Sequence, residues 1–383
     1  MSPTAKKEYF KEITLRYRIS SKKEKKIILD EFCKICNYNR KYAIRLLNSN
    51  FRSNNNHHLS KRGRKKKYDH PLILEVLREI WVKTNLPCSK RLKAILPLWL
   101  PFYEFELPED VKEALLSISP STIDRLVASL RSKYNKHGFA TTKPGSILKK
   151  HIPIKTDQWD ESQPGFLEAD TVAHCGSSVS DMFAFTINCV DIATSWSEQR
   201  AVWGKGEKGV KNAIESVESH LPFELKGFDC DNGSEFLNWH LLRYFHNRKM
   251  PIQFTRSRPY KKNDNAHVEE KNWSIIREYI GYQRFDKEQM VEKLNDLYTN
   301  EWNDYFNFFI PSMKLVEKYR KGSKIIKKHD KPKTPYQRII ESEYIDDETK
   351  MTLSEYVKKL NPFQLQKQMF EKIKTIIQIA NEQ

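Results

Sequence analysis

Long apolar runs are missing from this 383-residue chain. No stretch reaches the length that spans a bilayer, and no basic amphipathic segment marks a membrane anchor, so no membrane partner is expected. The opening, MSPTAKKEYFKEITL, lacks the apolar centre of a secretory signal, which makes a bacterial-type cytoplasm the expected compartment. Cysteine is sparse and scattered, at 33, 36, 88, 175, 189 and 230; that excludes a disulfide scaffold and predicts reduced thiols. Acid is in short supply relative to base. With 67 Lys and Arg against 49 Asp and Glu, the formal net charge is +18, and the isoelectric point near 9.4 predicts a polyanionic partner. The length leaves room for several domains, each able to bury a core.

What is there is organised around residues 165–277. Phe166 to His174 has the length and the Pro164-Gly165 entry of a strand. Met182 to Val190 and Trp196 to Trp203 are two more runs rich in aromatic and β-branched residues, with a turn at Asp191 to Thr194. Lys208 to His220 has helical spacing through Val210, Ile214 and Val217. A strand at Phe223 to Asp229, a helix at Glu235 to Asn247, a short strand at Ile252 to Thr255 and a helix from Ala266 to Tyr282 complete the order. That order predicts an α/β fold with a mixed sheet and a site at the strand ends.

Three carboxylates stand out: Asp170 in PGFLEADTVAH, Asp231 in FDCDNGSEF and Glu269 in NDNAHVEEKNW. Taken singly, Asp170 reads as a strand-end turn, Asp231 as a D-N-G hairpin turn and Glu269 as a solvated helix acid. Helical spacing after Gly233 leaves no return strand for a hairpin. Steps of four, seven and eleven from Glu269 reach Trp273, Ile276 and Ile280, whereas those from Glu270 reach Ser274, Arg277 and Gly281; Glu269 is therefore expected to face inward. In order and context the three acids resemble the D, D-N-G-x-x-F and N-A-x-x-E pattern of the retroviral integrase superfamily, most closely the DDE transposases of bacterial insertion sequences. The resemblance is clearest over residues 161–283 and implies a ribonuclease-H-like catalytic core. It also implies Asp170, Asp231 and Glu269 as metal-binding catalytic acids. An all-oxygen set favours Mg²⁺ or Mn²⁺, two ions per site, suited to in-line attack on a phosphodiester. Two carboxylates about 4 Å apart repel by roughly 4 kcal/mol at an effective dielectric near 20, which such cations relieve.

The remainder reads as DNA-handling apparatus. Residues 1–55 are expected to hold a helix-turn-helix: Ile28, Phe32 and Ile35 stripe one helix, Cys36 to Tyr38 turn, and a second helix buries Ala43, Leu46 and Leu47 while presenting Arg40, Lys41 and Arg45. Cys33 and Cys36 with His57 and His58 invite a zinc reading, but the integrase zinc module has the opposite order, and two helix thiols are expected. Residues 56–70 form a basic linker. Its Arg62-Gly63-Arg64, followed by Lys65, Lys66 and Lys67, resembles an AT-hook core without the flanking prolines, and equally suits a phosphate-binding tether. Residues 71–137 predict a second helical DNA-binding module with Arg125 on a basic face, and 138–160 a linker. The core spans 161–310, with Arg256, Arg258, Lys261 and Lys262 in the loop before the Glu269 helix, and Lys271 and Arg277 continuing that surface along it.

Residues 311–340 are expected to form a small basic DNA-contacting β element, pairing Lys314–Tyr319 with Lys324–Lys328 about Lys321-Gly322. Residues 341–383 are expected to be helical, ending in an amphipathic helix from Asn361-Pro362. The sequence thus predicts a transposase that binds element ends in double-stranded DNA, cuts to expose a 3′-hydroxyl, joins it to target DNA and works as a homo-oligomer. The rivals are a DNA-binding regulator with an inactive nuclease-like core, and a simple metal-dependent nuclease.

Overall fold

The computed structural model describes residues 2–49, 67–131, 162–230, 235–236, 238–256 and 266–382. Contacts divide the chain into two compact units, Met1–Lys66 and Lys67–Gln383.

Among the described residues the first unit holds three helices, α1 (Pro3–Ile19), α2 (Lys22–Cys36) and α3 (Arg40–Ser49). Ser2 caps α1 ahead of Pro3, and Ser21 with Glu24 forms a capping box on α2. Asn37 takes the left-handed conformation that ends α2, and Asn39 caps α3 through the Lys41 amide. Ile13, Ile28, Leu29, Phe32, Cys36, Ala43 and Leu47 make the core. The apolar stripe expected of α2 holds at Ile28 and Phe32, whereas Ile35 is exposed. Helix α1 packs on α2 at Phe32, through Tyr9 and Phe10, and Leu29 joins the buried face in place of Ile35. Cys36 is buried and Cys33 half-buried on α2; His57 and His58 lie outside the described residues.

In the second unit the helices α4 (Pro71–Lys83), α5 (Ser89–Trp99), α6 (Glu109–Ser117) and α7 (Pro120–Arg131) come first. The sheet follows: β1 (Phe166–Ala173), β2 (Ala184–Asp191), β3 (Ser197–Trp203), then α8 (Glu207–Ser219), β4 (Gly227–Cys230), α9 (Trp239–His246) and β5 (Gln253–Arg256). Its order is β3-β2-β1-β4-β5, antiparallel from β3 to β1 and parallel from β1 to β5, a mixed sheet that agrees with the ribonuclease-H-like expectation. Gly165 makes the entry into β1 possible. It sits at φ +112°, and a Cβ there would lie 2.5 Å from the Glu224 carbonyl.

Alternation assigns the two faces. Leu167, Ala169, Ile187 and Cys189 pack with α8 and α9, while Val172, Ala184 and Ala201 pack on the other side against later helices. Those helices are α10 (Ala266–Lys271), running through a π-helical stretch (Asn272–Arg277) into α11 (Glu278–Ile280), then α12 (Gln289–Leu297) and α13 (Asn303–Phe309), which a second π-helical stretch (Tyr298–Trp302) joins. A hairpin, β6 (Leu315–Lys321) and β7 (Lys324–His329), turns at Gly322 with φ +61°. Helices α14 (Pro335–Glu341), α15 (Asp347–Val357) and α16 (Pro362–Asn381) close the chain.

Helices α4 to α7 share one apolar core with α12, α13 and α16. Trp99 stands edge-on to Tyr305 and Phe363 and donates to the Phe309 carbonyl, and the Tyr305 hydroxyl donates to the Lys83 carbonyl. Residues expected as separate modules at 71–137, 161–310 and 341–383 therefore meet in one packed interior. The edge strand β3 is sealed from the helices. The Asn307 side chain accepts from the Ser197 amide and donates to its carbonyl, and Asn295 does the same for Ala201. Two amide side chains thus stand where a neighbouring strand would.

Candidate active site

Strand β1 brings alternate residues to the face beneath α10, and two of them are acids, Glu168 and Asp170. Asp170 is half-buried in the middle of the strand, one residue beyond its last pairing with β4. Its Oδ1 accepts from the Thr171 amide at 2.7 Å and its Oδ2 from the Asn272 side chain at 2.7 Å. Asn272 in turn accepts from Asn188 Nδ2 at 2.8 Å, and Asn188 accepts from Gln199 Nε2 at 2.8 Å. Asp170, Asn188 and Gln199 occupy one cross-strand row, in register over β1, β2 and β3. Asn188 and Gln199 are fully buried. Gln199 starts the relay with its own oxygen unpartnered among the described residues, and Asn188 and Asn272 each receive at the oxygen and pass a donor onward, so the relay ends in an N–H aimed at the Asp170 carboxylate. A donor in that position favours the ionised acid and fixes its rotamer.

Glu168, two residues earlier on the same face, ties the helix to the strand. Its Oε2 accepts from the backbone amides of His267 and Val268, at 3.0 and 3.1 Å, in the first turn of α10. Those amides are among the donors a helix start leaves unsatisfied, and a carboxylate also complements the positive end of the helix dipole.

Glu269 and Glu270 are both exposed on this helix. The apolar column expected beside Glu269 is broken: Ile276 and Ile280 are buried, but Trp273 is 52% exposed. The π-helical stretch from Asn272 to Arg277 widens the turn and shifts the phase on which the four-residue step relied. The two glutamates nonetheless differ. Glu269 lies three residues before Asn272, the residue that bonds Asp170, while Glu270 lines a cavity of about 170 Å³ with Arg91, Lys271, Ser274 and Tyr279.

Strand β4 runs parallel to β1 with Cys230 opposite Ala169. Asp231 follows Cys230 in the chain and lies outside the described residues, as do Arg258, Lys261 and Lys262 of the loop and Arg62, Arg64, Lys65 and Lys66 of the linker. Among the described residues no three His, Cys, Asp or Glu side chains gather to hold a metal. Other acids nearby are committed: Glu168 to the helix start, Asp229 to the Thr255 hydroxyl at 2.6 Å, and Glu235 to Lys205 and Thr171. Burial alone would raise the Glu235 carboxyl; the hydrogen bond from Lys205 outweighs it and holds the group below its ordinary range. The oxygen-only donor Asp170 fits a hard divalent cation.

The basic positions divide. Arg40, Lys41 and Arg45 are exposed on α3, with Arg40 paired to Asp30 and Arg45 over the Tyr42 ring. Arg125 is exposed on α7, and Arg256 is exposed at the end of β5. Lys67 donates to the Ser117 hydroxyl. Two expectations need correction. Lys271 is 9% exposed, turned to the cavity side of α10; burial lowers its pKa to about 8, with Arg91 and Arg338 pushing the same way against Glu270. Arg277 is half-buried, donating to the Ala173 carbonyl at 2.7 Å. Neither extends an open basic surface along the helix: Lys271 faces the cavity lined by Pro87 and Arg91, and Arg277 is tied back to β1. His174 is fully buried, bonded to the Thr186 hydroxyl and stacked on Phe285; Asp191 binds Gly165 and Thr194 in the turn after β2. Asn272, Asn188, Gln199 and Glu168 were not singled out from the sequence. The L-E-A-D alternation of β1 was the available signal for Glu168; for the amides there was none, since their roles depend on cross-strand register.

Fold and site together define a mixed-sheet α/β protein whose central strand carries two acids beneath a helix. No protein-family model matches the chain. The chain is 35% identical over 343 residues to the "Uncharacterized protein y4rM" of Sinorhizobium fredii (strain NBRC 101917 / NGR234), covering 88% of this chain and 96% of that protein. The chain belongs to the family of that protein. Among solved structures it is similar to a chain of the simian T-cell lymphotropic virus intasome in complex with PP2A regulatory subunit B56 gamma, at 12% identity and TM-score 0.34, covering 59% of this chain and 69% of that one. It is also similar to the catalytic core domain of BIV integrase, at 14% identity and TM-score 0.28, covering 47% of this chain and 96% of that one. Scores this low carry no weight for function. No helix among the described residues is long and apolar enough to cross a membrane.

Proposed function

We propose that the chain is a DDE-type transposase. It binds element ends in double-stranded DNA, frees a 3′-hydroxyl by hydrolysis and joins that end to target DNA. The observation that carries this reading is the bond from Asn272 to Asp170, which ties the Glu269-bearing helix to an acid of the central strand, beside the strand that leads to Asp231. Asp170, Asp231 and Glu269 would hold two Mg²⁺ or Mn²⁺ ions; when bound, such ions activate an attacking hydroxyl and stabilise a leaving oxygen in line.

The chain's own groups bind and orient. Thr171 and Asn272 fix the Asp170 carboxylate, and Glu168 sets where the helix begins. Arg256, with Arg258, Lys261 and Lys262 after it, would grip phosphates beside the acids. Arg40, Lys41 and Arg45 of the first unit, the tether from Arg62 to Lys67, and Arg125 would lengthen the DNA footprint. Processing two ends takes two sites, so a homo-oligomer assembled on DNA follows. The test is metal-dependent cutting and joining of duplexes carrying the ends of the encoding element. Loss of both activities in Asp170→Asn, with DNA binding kept, supports the reading. Cutting without any joined product from pre-cut ends leaves a nuclease. DNA binding with no metal-dependent chemistry leaves a regulator.

A further inference from the structure

The hairpin β6–β7 is built unlike the rest of the molecule. Its root is clamped: the Lys314 amide donates to Asp330, Arg338 donates to the same carboxylate, and the Lys314 ammonium donates to the Ala193 carbonyl at 2.9 Å. A bridge between Ser312 and Lys333 closes the base. Beyond the root every residue of Leu315–Lys321 is exposed, and in Lys324–His329 only Ile326 is even half-buried. A two-stranded ribbon with both faces in water is marginal on its own, so this one lacks a covering layer.

Register shows which layer would suit it. On one face Lys318 stands directly opposite Lys327, and Arg320 opposite Ile325. The other face carries the ribbon's single acid, Glu317, already neutralised by Lys328 at 2.7 Å. Like charges directly opposed destabilise a strand pair. An acid-free face of three cations, two of them opposed, is a surface that a polyanion would relieve. Strands about 4.8 Å apart, with their side chains, give a ribbon roughly 10 Å across. That matches a B-form major groove about 12 Å wide and exceeds a minor groove of about 6 Å.

We propose that this ribbon seats in the major groove of duplex DNA, with Lys318, Arg320 and Lys327 set against the phosphates. The choice of ligand rests on the DNA-acting reading above; the ribbon's part in it needs no catalysis. The measurement is equilibrium binding of the full chain to a short mixed-sequence duplex, with chelator in place of divalent metal. The variants are K318A/R320A/K327A and a charge-matched triple on exposed positions of α16 and the turn before it, K359A/K367A/K374A. Between about 50 and 200 mM salt the ribbon triple should bind tenfold or more weaker, with a log–log salt slope shallower by about 2.7, while the helix triple stays within roughly threefold. The exchange K318R/R320K/K327R should restore binding. On duplex RNA, whose major groove is closed to side chains, the two alanine triples should lose equally.

Equal losses on DNA overturn the proposal. So does a ribbon triple that binds DNA normally but dissociates a protein oligomer in sedimentation, which makes the face a protein interface. If the unmodified chain binds no duplex at all, the DNA-acting reading itself falls. If it binds and the ribbon triple matches it, only the ribbon's role falls.

Discussion

Asp170 does not meet solvent on its own terms: a backbone amide and the Asn272 side chain each hold one of its oxygens, and two buried amides stand behind Asn272. Removing Asn272 leaves the acid in place but frees its rotamer. Asn272→Ala should therefore lower metal-dependent activity by about 10–100-fold, the usual range for partners of metal-binding groups. Circular dichroism and DNA affinity should stay unchanged; activity within a factor of two of the unmodified chain would refute the positioning role. His174 offers a different residue-scale check. Burial lowers its pKa to about 3, so it stays neutral in the fold, whereas an unfolded chain takes the proton near 6.5. Its contribution to stability is thus complete above about pH 6.5 and is lost below it, at up to about 1.4 kcal/mol per unit. Glu198 and Asp304, raised by burial to about 7 and 6, act in the opposite sense, so the whole-protein curve conceals the effect. The stability difference between the unmodified chain and His174→Gln should shrink by about 2 kcal/mol between pH 7 and 5. A difference constant with pH by chemical denaturation would refute it.

At the scale of elements, two devices hold the site's frame. Asn307, fully buried, closes the amide and carbonyl of Ser197 on the sheet edge. Asn307→Ala strands both groups and should cost about 2–4 kcal/mol, read as a lowered denaturation midpoint. A leucine there, branched alike but without polar atoms, should not recover that loss, because the missing bonds set it. Glu168 pins the start of α10 with a charged acceptor. Glu168→Gln keeps the shape and removes the charge, so it should loosen the helix start by about 1 kcal/mol while slowing turnover. Faster hydrogen exchange confined to residues 266–271 would support this, and uniform exchange across the second unit would contradict it. The π-helical stretch belongs to this scale too. It undid the even four-residue phase from Glu269 to Trp273, yet it sets Asn272 on Asp170 and buries Ile275 and Ile276 together.

For the whole molecule the net charge of +18 is the governing quantity. If about eight phosphates are neutralised, the DNA affinity of the full chain should fall with a log–log salt slope of roughly −7, and a flat salt response would contradict the charge reading. The same basic excess discourages close approach of two copies without DNA, so assembly should depend on added duplex and weaken as salt rises, measurable by sedimentation.

The strands, the helices around them and the β6–β7 hairpin were legible because periodicity and turn residues act locally: Val210, Ile214 and Val217 mark α8, and Gly322 marks its turn. Helix α1 was within reach through its Ser2-Pro3 cap and went unread. The chain order alone determined three acids in order within a strongly basic chain. Only tertiary structure decided that Lys271 turns inward, that α4 to α7 join the C-terminal helices in one core, and that Asn188 and Gln199 stand behind Asp170. The physical reason is range. Local torsions and hydrophobic spacing are written along the chain, whereas cross-strand register and helix phase are set by what residues far apart in sequence bury together.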